Sequence, residues 1–359
     1  MSTRPFASIG AASVAPFDPG APAMGDGIFG LPHSADEARV VLIPVPWEPT
    51  TSYGKGTARG PEAILTGSRQ VDLYDRGTGK PYQDGIALLP TDPEIEGWNV
   101  EACAASAPVI DAFGEIEGDP HLEAQQGRVN ELGDKLNARV AAIARGWIQR
   151  GKLVGTIGGD HASPFGAIAA HAERFPGMGV LHLDAHADLR RAYEGFADSH
   201  ASIMYNVAHR LPSVTRIVQV GIRDFSEDEL AVIEGSNGRI ATLFDEDLAR
   251  RMLEGEPFAA IVKPYLEKLP AEVYLSFDID GLDPALCPHT GTPVPGGLSF
   301  QQAVAMLKYV VESGRTIVGF DLCEVAPGPD GDEWDGNVGA RLLYKMIGYA
   351  LLSQRPKSA

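Results

Sequence analysis

Three short segments concentrate imidazoles and carboxylates at spacings that a pair of metal ions needs. They are Gly158-Gly159-Asp160-His161, Leu183-Asp184-Ala185-His186-Ala187-Asp188 and Ser276-Phe277-Asp278-Ile279-Asp280. If the middle segment is extended, Asp184, His186 and Asp188 project to one side, because strand side chains alternate. Asp278 and Asp280 share a face for the same reason. Oxygen-rich sites with a few imidazoles suit Mn²⁺ and similar divalent ions better than thiolate sites do. Without a cation these acids would repel one another and resist ionisation; a bound dication removes that conflict. Two ions close together can share a hydroxide and use it as a nucleophile. The residue types therefore point to metal-assisted hydrolysis.

The elements that position these groups are legible from hydrophobic periodicity. Strands are expected at 40–45, 153–157, 179–184, 216–220, 239–244, 273–280 and 316–321. Helical stretches are expected from near Pro61 and at 165–174, 227–234 and 300–313. Val129, Leu132, Leu136, Val140, Ile143 and Trp147 recur at three or four residues and mark one more amphipathic helix. Strands alternating with helices imply an α/β fold with a mostly parallel sheet covered on both faces. The candidate ligands fall at strand ends, where open α/β sheets form their sites.

The chain reads as a leader arm over 1–36, followed by one catalytic domain over 37–359. A Pro- and Gly-punctuated stretch at 84–122 has the composition of an insertion. Lys and Arg total 30 against 48 Asp and Glu, a formal charge of −18 with no basic stripe. That balance argues against nucleic acid and anionic membranes as partners. No apolar run is long enough to span a bilayer, and the N-terminus lacks the apolar core of a signal peptide. Three scattered cysteines without a CxxC fit a reducing compartment, the cytoplasm.

GGDH, DAHAD and SFDID, in this order, resemble the signature segments of the ureohydrolase family of arginases and agmatinases. The resemblance runs from about Val40 to the C-terminal helix. It extends to Tyr193-Glu194-Gly195, Ser199-His200, Gly221-Ile222-Arg223-Asp224, Gly291-Thr292-Pro293 and Glu324-Val325-Ala326-Pro327. It implies a three-layer α/β/α fold with about eight strands, and a homo-oligomer, a trimer or hexamer. It also implies two Mn²⁺ per subunit, with Ni²⁺ in some relatives. One ion would take His161, Asp184, Asp188 and Asp278. The other would take Asp184, His186, Asp278 and Asp280. His200 matches the family's proton-shuttling histidine, and Glu324 the carboxylate that holds the substrate guanidinium. Asp160 is assigned to a turn or to support of His161.

The implied reaction is hydrolysis of a guanidino C–N bond in a small cationic substrate, giving urea and an amine. Arginases carry a second acid after GLRDV that helps hold an α-amino group; here Ser226 stands in its place. The segment 188–195 is instead similar to bacterial agmatinases, which favours agmatine. The loop from Trp47 to Thr57 departs from the agmatinase pattern. It leaves room for 4-guanidinobutyrate, 3-guanidinopropionate, guanidine or formimidoylglutamate. His289 stands where most relatives carry a small residue and is a candidate substrate contact at the pocket mouth. Two other readings are a non-catalytic oligomer partner, which would have lost ligands, and a one-metal deacetylase, which would keep fewer acids.

Overall fold

The computed structural model describes residues 17–20, 23 and 25–355. Eight strands form one fully parallel sheet in the order β2-β1-β3-β8-β7-β4-β5-β6. They are β1 (Val40–Val45), β2 (Ile86–Leu88), β3 (Leu153–Gly158), β4 (Gly179–Leu183), β5 (Arg216–Ile222), β6 (Ile240–Phe244), β7 (Glu272–Asp278) and β8 (Thr316–Cys323). The chain is thus a three-layer α/β/α protein. Seven of the strands lie within a residue or two of their expected ranges.

Side chains on alternate strand positions feed two different cores. Leu181, Leu183, Leu275, Phe277, Phe320 and Leu322 face one side, with α1 (Gly60–Ser68), α8 (Phe258–Leu266), α9 (Phe300–Glu312) and α10 (Trp334–Ser353). Val180, Ile217, Tyr274 and Val318 face the other, against α4 (Phe165–Arg174) and α5 (Ile203–Arg210). Both faces are covered, which is why the strands read as nearly continuous apolar runs.

Two expectations change. Residues 1–16, 21, 22 and 24 of the leader lie outside the described residues. The part from Gly25 onward is no loose arm, for Ile28, Phe29 and Leu31 are almost completely buried. Phe29 packs its ring 4.9 Å from that of Tyr344, and its N–H donates to Ser68 Oγ. The apolar Ile28-Phe29 pair seals the end of the helical layer formed by α1 and α10. The 84–122 stretch supplies β2, the edge strand beside β1, and the whole of α2 (Pro93–Asp111), capped by Asp92. Three residues of strand are too few for a periodicity to show. The helix expected near 129–147 is longer, α3 (Pro120–Gln149), capped by Asp119. Its extra N-terminal turns matter for the site.

Candidate active site

The four central strands β3, β8, β7 and β4 end side by side, and the chemistry follows directly from those ends. His161 comes after β3, Glu324 after β8, Asp278 closes β7 and Asp184 follows β4. The glycine pair before Asp160 permits a tight approach: a Cβ on Gly159 would lie 2.0 Å from the Trp47 carbonyl oxygen. The acid clusters do not stay extended, as the spacing argument assumed. Asp184 Oδ1 accepts from the His186 N–H at 2.6 Å, and Asp278 Oδ1 from the Asp280 N–H at 2.9 Å. Each carboxylate curls its own backbone around itself. Asp188 reaches the site from a left-handed conformation, φ 53°, and Glu324 does likewise at φ 62°. Non-glycine residues rarely adopt that region, and such conformations cluster at functional sites.

The result is a dense cluster. His161 Nδ1 lies 2.9 Å from Asp184 Oδ2, 3.2 Å from Asp188 Oδ2 and 3.2 Å from Asp278 Oδ2. His186 Nδ1 lies 3.1 Å from Asp280 Oδ2 and 3.5 Å from Asp184 Oδ1. Asp184 therefore belongs to both groups. All these residues are buried except His186, which is about a quarter exposed. Burial, followed by repulsion from Asp184, pushes Asp188 up to about 6. Burial and then the charges of Asp280 and Asp184 raise Asp278 well above its usual range. Asp188 Oδ2 makes no aligned hydrogen bond. Buried carboxylates in mutual repulsion, aimed with two imidazoles at a common centre, fit a pair of divalent cations.

Above the cluster sits the half-buried His200. Thr50 Oγ1 is 3.2 Å from Asp160 Oδ2 and 3.1 Å from His200 Nδ1. The hydroxyl donates to the carboxylate, so His200 Nδ1–H donates to the hydroxyl and Nε2 keeps its lone pair. Burial, then the cationic His186 and Lys55, push His200 well below the usual histidine value, which keeps the ring neutral. Glu324 Oε1 accepts the His161 N–H at 2.9 Å, while Oε2 is buried without a hydrogen bond. It borders a slot lined by Thr51, Gly54, His200, Gly291 and Thr292. Next to it a cavity of about 150 Å³ is lined by His186, Asp188, Arg190, His200, Asp224 and Phe225, among others.

Residues 38–348 match the family model described as the arginase family. The chain belongs to that family. It is 34% identical to the N(1)-aminopropylagmatine ureohydrolase of Thermus thermophilus, over 87% of this chain and 90% of that protein. To the agmatinase of Cronobacter sakazakii it is 30% identical, over 88% and 89%. Its fold resembles the crystal structure of an agmatine ureohydrolase of Thermoplasma volcanium, with a TM-score of 0.69 at 20% identity, covering 91% of this chain and 94% of that one. The protein is accordingly a metal-dependent hydrolase of guanidino C–N bonds with a binuclear centre.

The arginase-family chain brings eight of its nine candidate site residues together: His161, Asp184, His186, Asp188, His200, Asp278, Asp280 and Glu324. It does not bring His289 to either cavity. His289 donates from its N–H and Nδ1–H to the two oxygens of Asp335 on α10, each at 2.9 Å. Two contributors were not read from the sequence. Arg223 sends its guanidinium to the carbonyls of Asp280, Leu282 and Val294, at 2.7, 3.1 and 3.0 Å through Nη2. It clasps the turn that carries Asp280. His182, buried on β4, lies 2.8 Å from Asp184 Oδ2 through Nε2. It stands two residues before Asp184, so the same period-two rule that found His186 and Asp188 could have found it.

No helix among the described residues is long and apolar enough to cross a membrane.

Proposed function

We propose that this protein hydrolyses agmatine to putrescine and urea. The observation that carries the choice of tail is the charge at the mouth. Asp224 is exposed to the cavity that holds His186, Asp188 and His200, and its carboxylate has no ion pair with the described residues. The cation on the same wall is already engaged: Arg190 Nε turns to Glu229 at 3.6 Å, and its guanidinium lies over the Tyr193 ring at 5.3 Å. A substrate with an ammonium tail is favoured over one ending in carboxylate.

His161, Asp184, Asp188 and Asp278 would hold one Mn²⁺, and Asp184, His186, Asp278 and Asp280 the other. When bound, such ions supply a water acidified enough to act as a nucleophile near neutral pH. The remaining work belongs to the chain. Glu324 Oε2 receives the guanidinium N–H groups through charge-assisted hydrogen bonds. Its position beside the slot turns the guanidinium carbon toward the cluster. As that carbon gains a C–O bond and its C–N bond to the tail breaks, the leaving nitrogen needs a proton. His200 Nε2, with its free lone pair, would take a proton from the attacking water and hand it to that nitrogen, with Thr50 and Asp160 holding the ring's other nitrogen. The homologous chemistry and the buried, carboxylate-rich cluster support this reading, and it includes a cytoplasmic homo-oligomer.

A second reading is the N(1)-aminopropyl derivative of agmatine, the substrate named for the Thermus relative. An exposed acid, Asp224, and an exposed aromatic ring, Phe225, in the same lining offer a longer amine tail both a charge and an apolar contact. Urea release decides. Protein loaded separately with Mn²⁺ and Ni²⁺ is offered agmatine, its aminopropyl derivative, arginine, 4-guanidinobutyrate, 3-guanidinopropionate and guanidine. The expected result is a kcat/KM for an amine-tailed compound at least about tenfold above the carboxylate-tailed ones, one ion pair's worth of discrimination. Highest turnover on 4-guanidinobutyrate would overturn the assignment of the tail.

A further inference from the structure

The parallel register lines up one residue from each of six strands in a single row. Thr156 on β3 pairs with Asp321 on β8, which pairs with Ser276 on β7; Ser276 pairs with His182 on β4, and His182 with Gln219 on β5, which meets Thr242 on β6. Every member is polar, in strands whose other interior positions are apolar or glycine. The row lies on the face covered by α4 and α5, since its members alternate with residues of the opposite core. Ser276 and His182 sit two residues before Asp278 and Asp184, directly beneath the metal cluster. All but Thr242 are completely shielded from solvent. Burying five polar side chains is costly unless they are satisfied; Thr156 Oγ1 and Asp321 Oδ2 have no hydrogen-bond partner among the described residues, so the bonds made by Ser276, His182 and Gln219 are the informative ones.

Their hydrogen bonds fix the tautomers of two histidines in opposite senses. Ser276 Oγ donates to Asp321 Oδ1 at 3.0 Å, which uses its only proton. His161 Nε2, 3.0 Å from Ser276 Oγ, must therefore donate to that hydroxyl. That leaves Nδ1 for the metal.

On the other side, Gln219 Nε2 is 2.7 Å from the Ala187 carbonyl oxygen, an obligate acceptor, so this end of the amide is the NH₂ group. Gln219 Oε1 accordingly accepts from Thr242 Oγ1 at 2.9 Å. The second N–H of Gln219 points to His182 Nδ1 at 3.1 Å, which must accept. His182 then carries its proton on Nε2 and donates it to Asp184 Oδ2 at 2.8 Å. A ring nitrogen that holds a proton has no lone pair for a metal. This matters because His182 lies close enough to His161, Asp184 and Asp188 to be taken for a fourth ligand.

We propose that His182 is a positioning residue rather than a metal ligand: its Nε2–H aims the carboxylate of Asp184, and the Thr242–Gln219 pair locks it in that tautomer. The proposal rests on Asp184 being a ligand shared by both metals. Partners behind a ligand orient it, and their loss typically weakens metal binding ~10–100-fold.

The test is metal binding by the full chain, with Mn²⁺ stoichiometry and dissociation constants measured alongside the visible spectrum of the Co²⁺-loaded form. His182→Gln keeps an N–H near the position of Nε2 but cannot replace an imidazole ligand. It should bind two ions with affinities within about threefold of the parent and leave the Co²⁺ bands unshifted, whereas His182→Ala should weaken binding ~10–100-fold. Gln219→Leu, which frees the ring to change tautomer, should weaken it by about tenfold while leaving KM for the guanidino substrate unchanged. If His182→Ala fails to fold, as judged by circular dichroism, the other two variants carry the test. Loss of one ion, or a shifted Co²⁺ spectrum, in His182→Gln would make His182 a ligand and overturn the proposal. Equal metal affinity in all the variants that fold would show the row to be structural only and overturn it too. A parent protein that binds no metal would instead remove the binuclear reading beneath it.

Discussion

The floor of the site and its mouth are built by different means. The floor is made of strand ends: His161, Asp184, Asp278 and Glu324 follow from four adjacent parallel strands, and each is held by backbone N–H groups or by buried polar neighbours. The mouth is made of loops tied down by scattered bonds. Gln126 and Asn130 on α3 donate to the carbonyls of Glu194 and Gly195, at 2.9 and 3.1 Å. Glu48 gathers the Gly56 and Ala58 N–H groups at 2.6 and 3.2 Å. The Gly54 N–H meets the Gly291 carbonyl at 2.9 Å. Changing a floor residue disturbs a buried, coupled set, whereas a mouth residue can change with few consequences for the rest. The reaction class is thus written into the floor and the substrate into the mouth.

The largest expected effect lies in the floor. Asp278→Ala removes a carboxylate that faces both His161 and Asp280, and it should cost metal and turnover together. Metal analysis and urea release should both fall to background. Full activity with normal metal content would break the binuclear assignment and with it the contrast between the two regions.

His200 stands at the boundary. It hydrogen-bonds to Thr50 on the mouth loop yet faces the reacting centre. His200→Ala should lower kcat by about a hundredfold or more, the usual worth of a placed proton carrier, with metal content unchanged. Loss of metal instead would move His200 into the floor as a ligand.

Asp224→Asn probes the mouth alone. It should raise KM for agmatine by about three- to tenfold, as expected for one partly solvated ion pair. It should leave kcat, metal content and the KM for guanidine, which has no tail, unchanged. Equal effects on agmatine and guanidine would mean that Asp224 acts through the cluster.

The same contrast explains what could be read from the sequence. Floor residues sit next to buried apolar strands, so period-two spacing and strand ends located His161, Asp184, His186, Asp188, Asp278 and Asp280 without a structure, whereas His200 and Glu324 came only from the resemblance to the family. Asp188 and Asp280 arrive through turns shaped by Asp184 and Asp278 rather than by extended alternation. His182 was passed over because a buried histidine within an apolar run looks like packing; only its register beside Gln219 and Ser276 shows otherwise. Mouth residues carry no period at all. His289 reads as a pocket residue because most relatives carry a small residue there, yet its partner Asp335 lies 46 residues further on. Ile28 and Phe29 were missed for a similar reason: their partners are Ser68 and Tyr344, far away in the chain.

The smallest expected effect on turnover comes from below the floor, at His171 on α4. Its ring lies 5.0 Å from that of Tyr274 and fills the space left by Gly319, where a Cβ would meet His171 Nε2 at 2.2 Å. Its Nδ1–H donates to the Ala167 carbonyl at 2.8 Å. Burial holds this imidazole at about 4, against an ordinary 6.5. The unfolded chain therefore takes up a proton there as pH falls through 6.5, while the folded chain refuses it until about 4. Stability from this group is complete above 6.5 and is lost on the way down to 4. The gap corresponds to about 3 kcal/mol. His171→Gln abolishes the titration. Urea unfolding at pH 7 and pH 4 should therefore show the parent losing about 3 kcal/mol relative to the variant, while kcat/KM at neutral pH stays within about twofold. Parallel pH profiles for the two proteins would show that His171 is protonated in place. A large fall in turnover would mean that the floor's coupling extends through Tyr274 to the helix behind it.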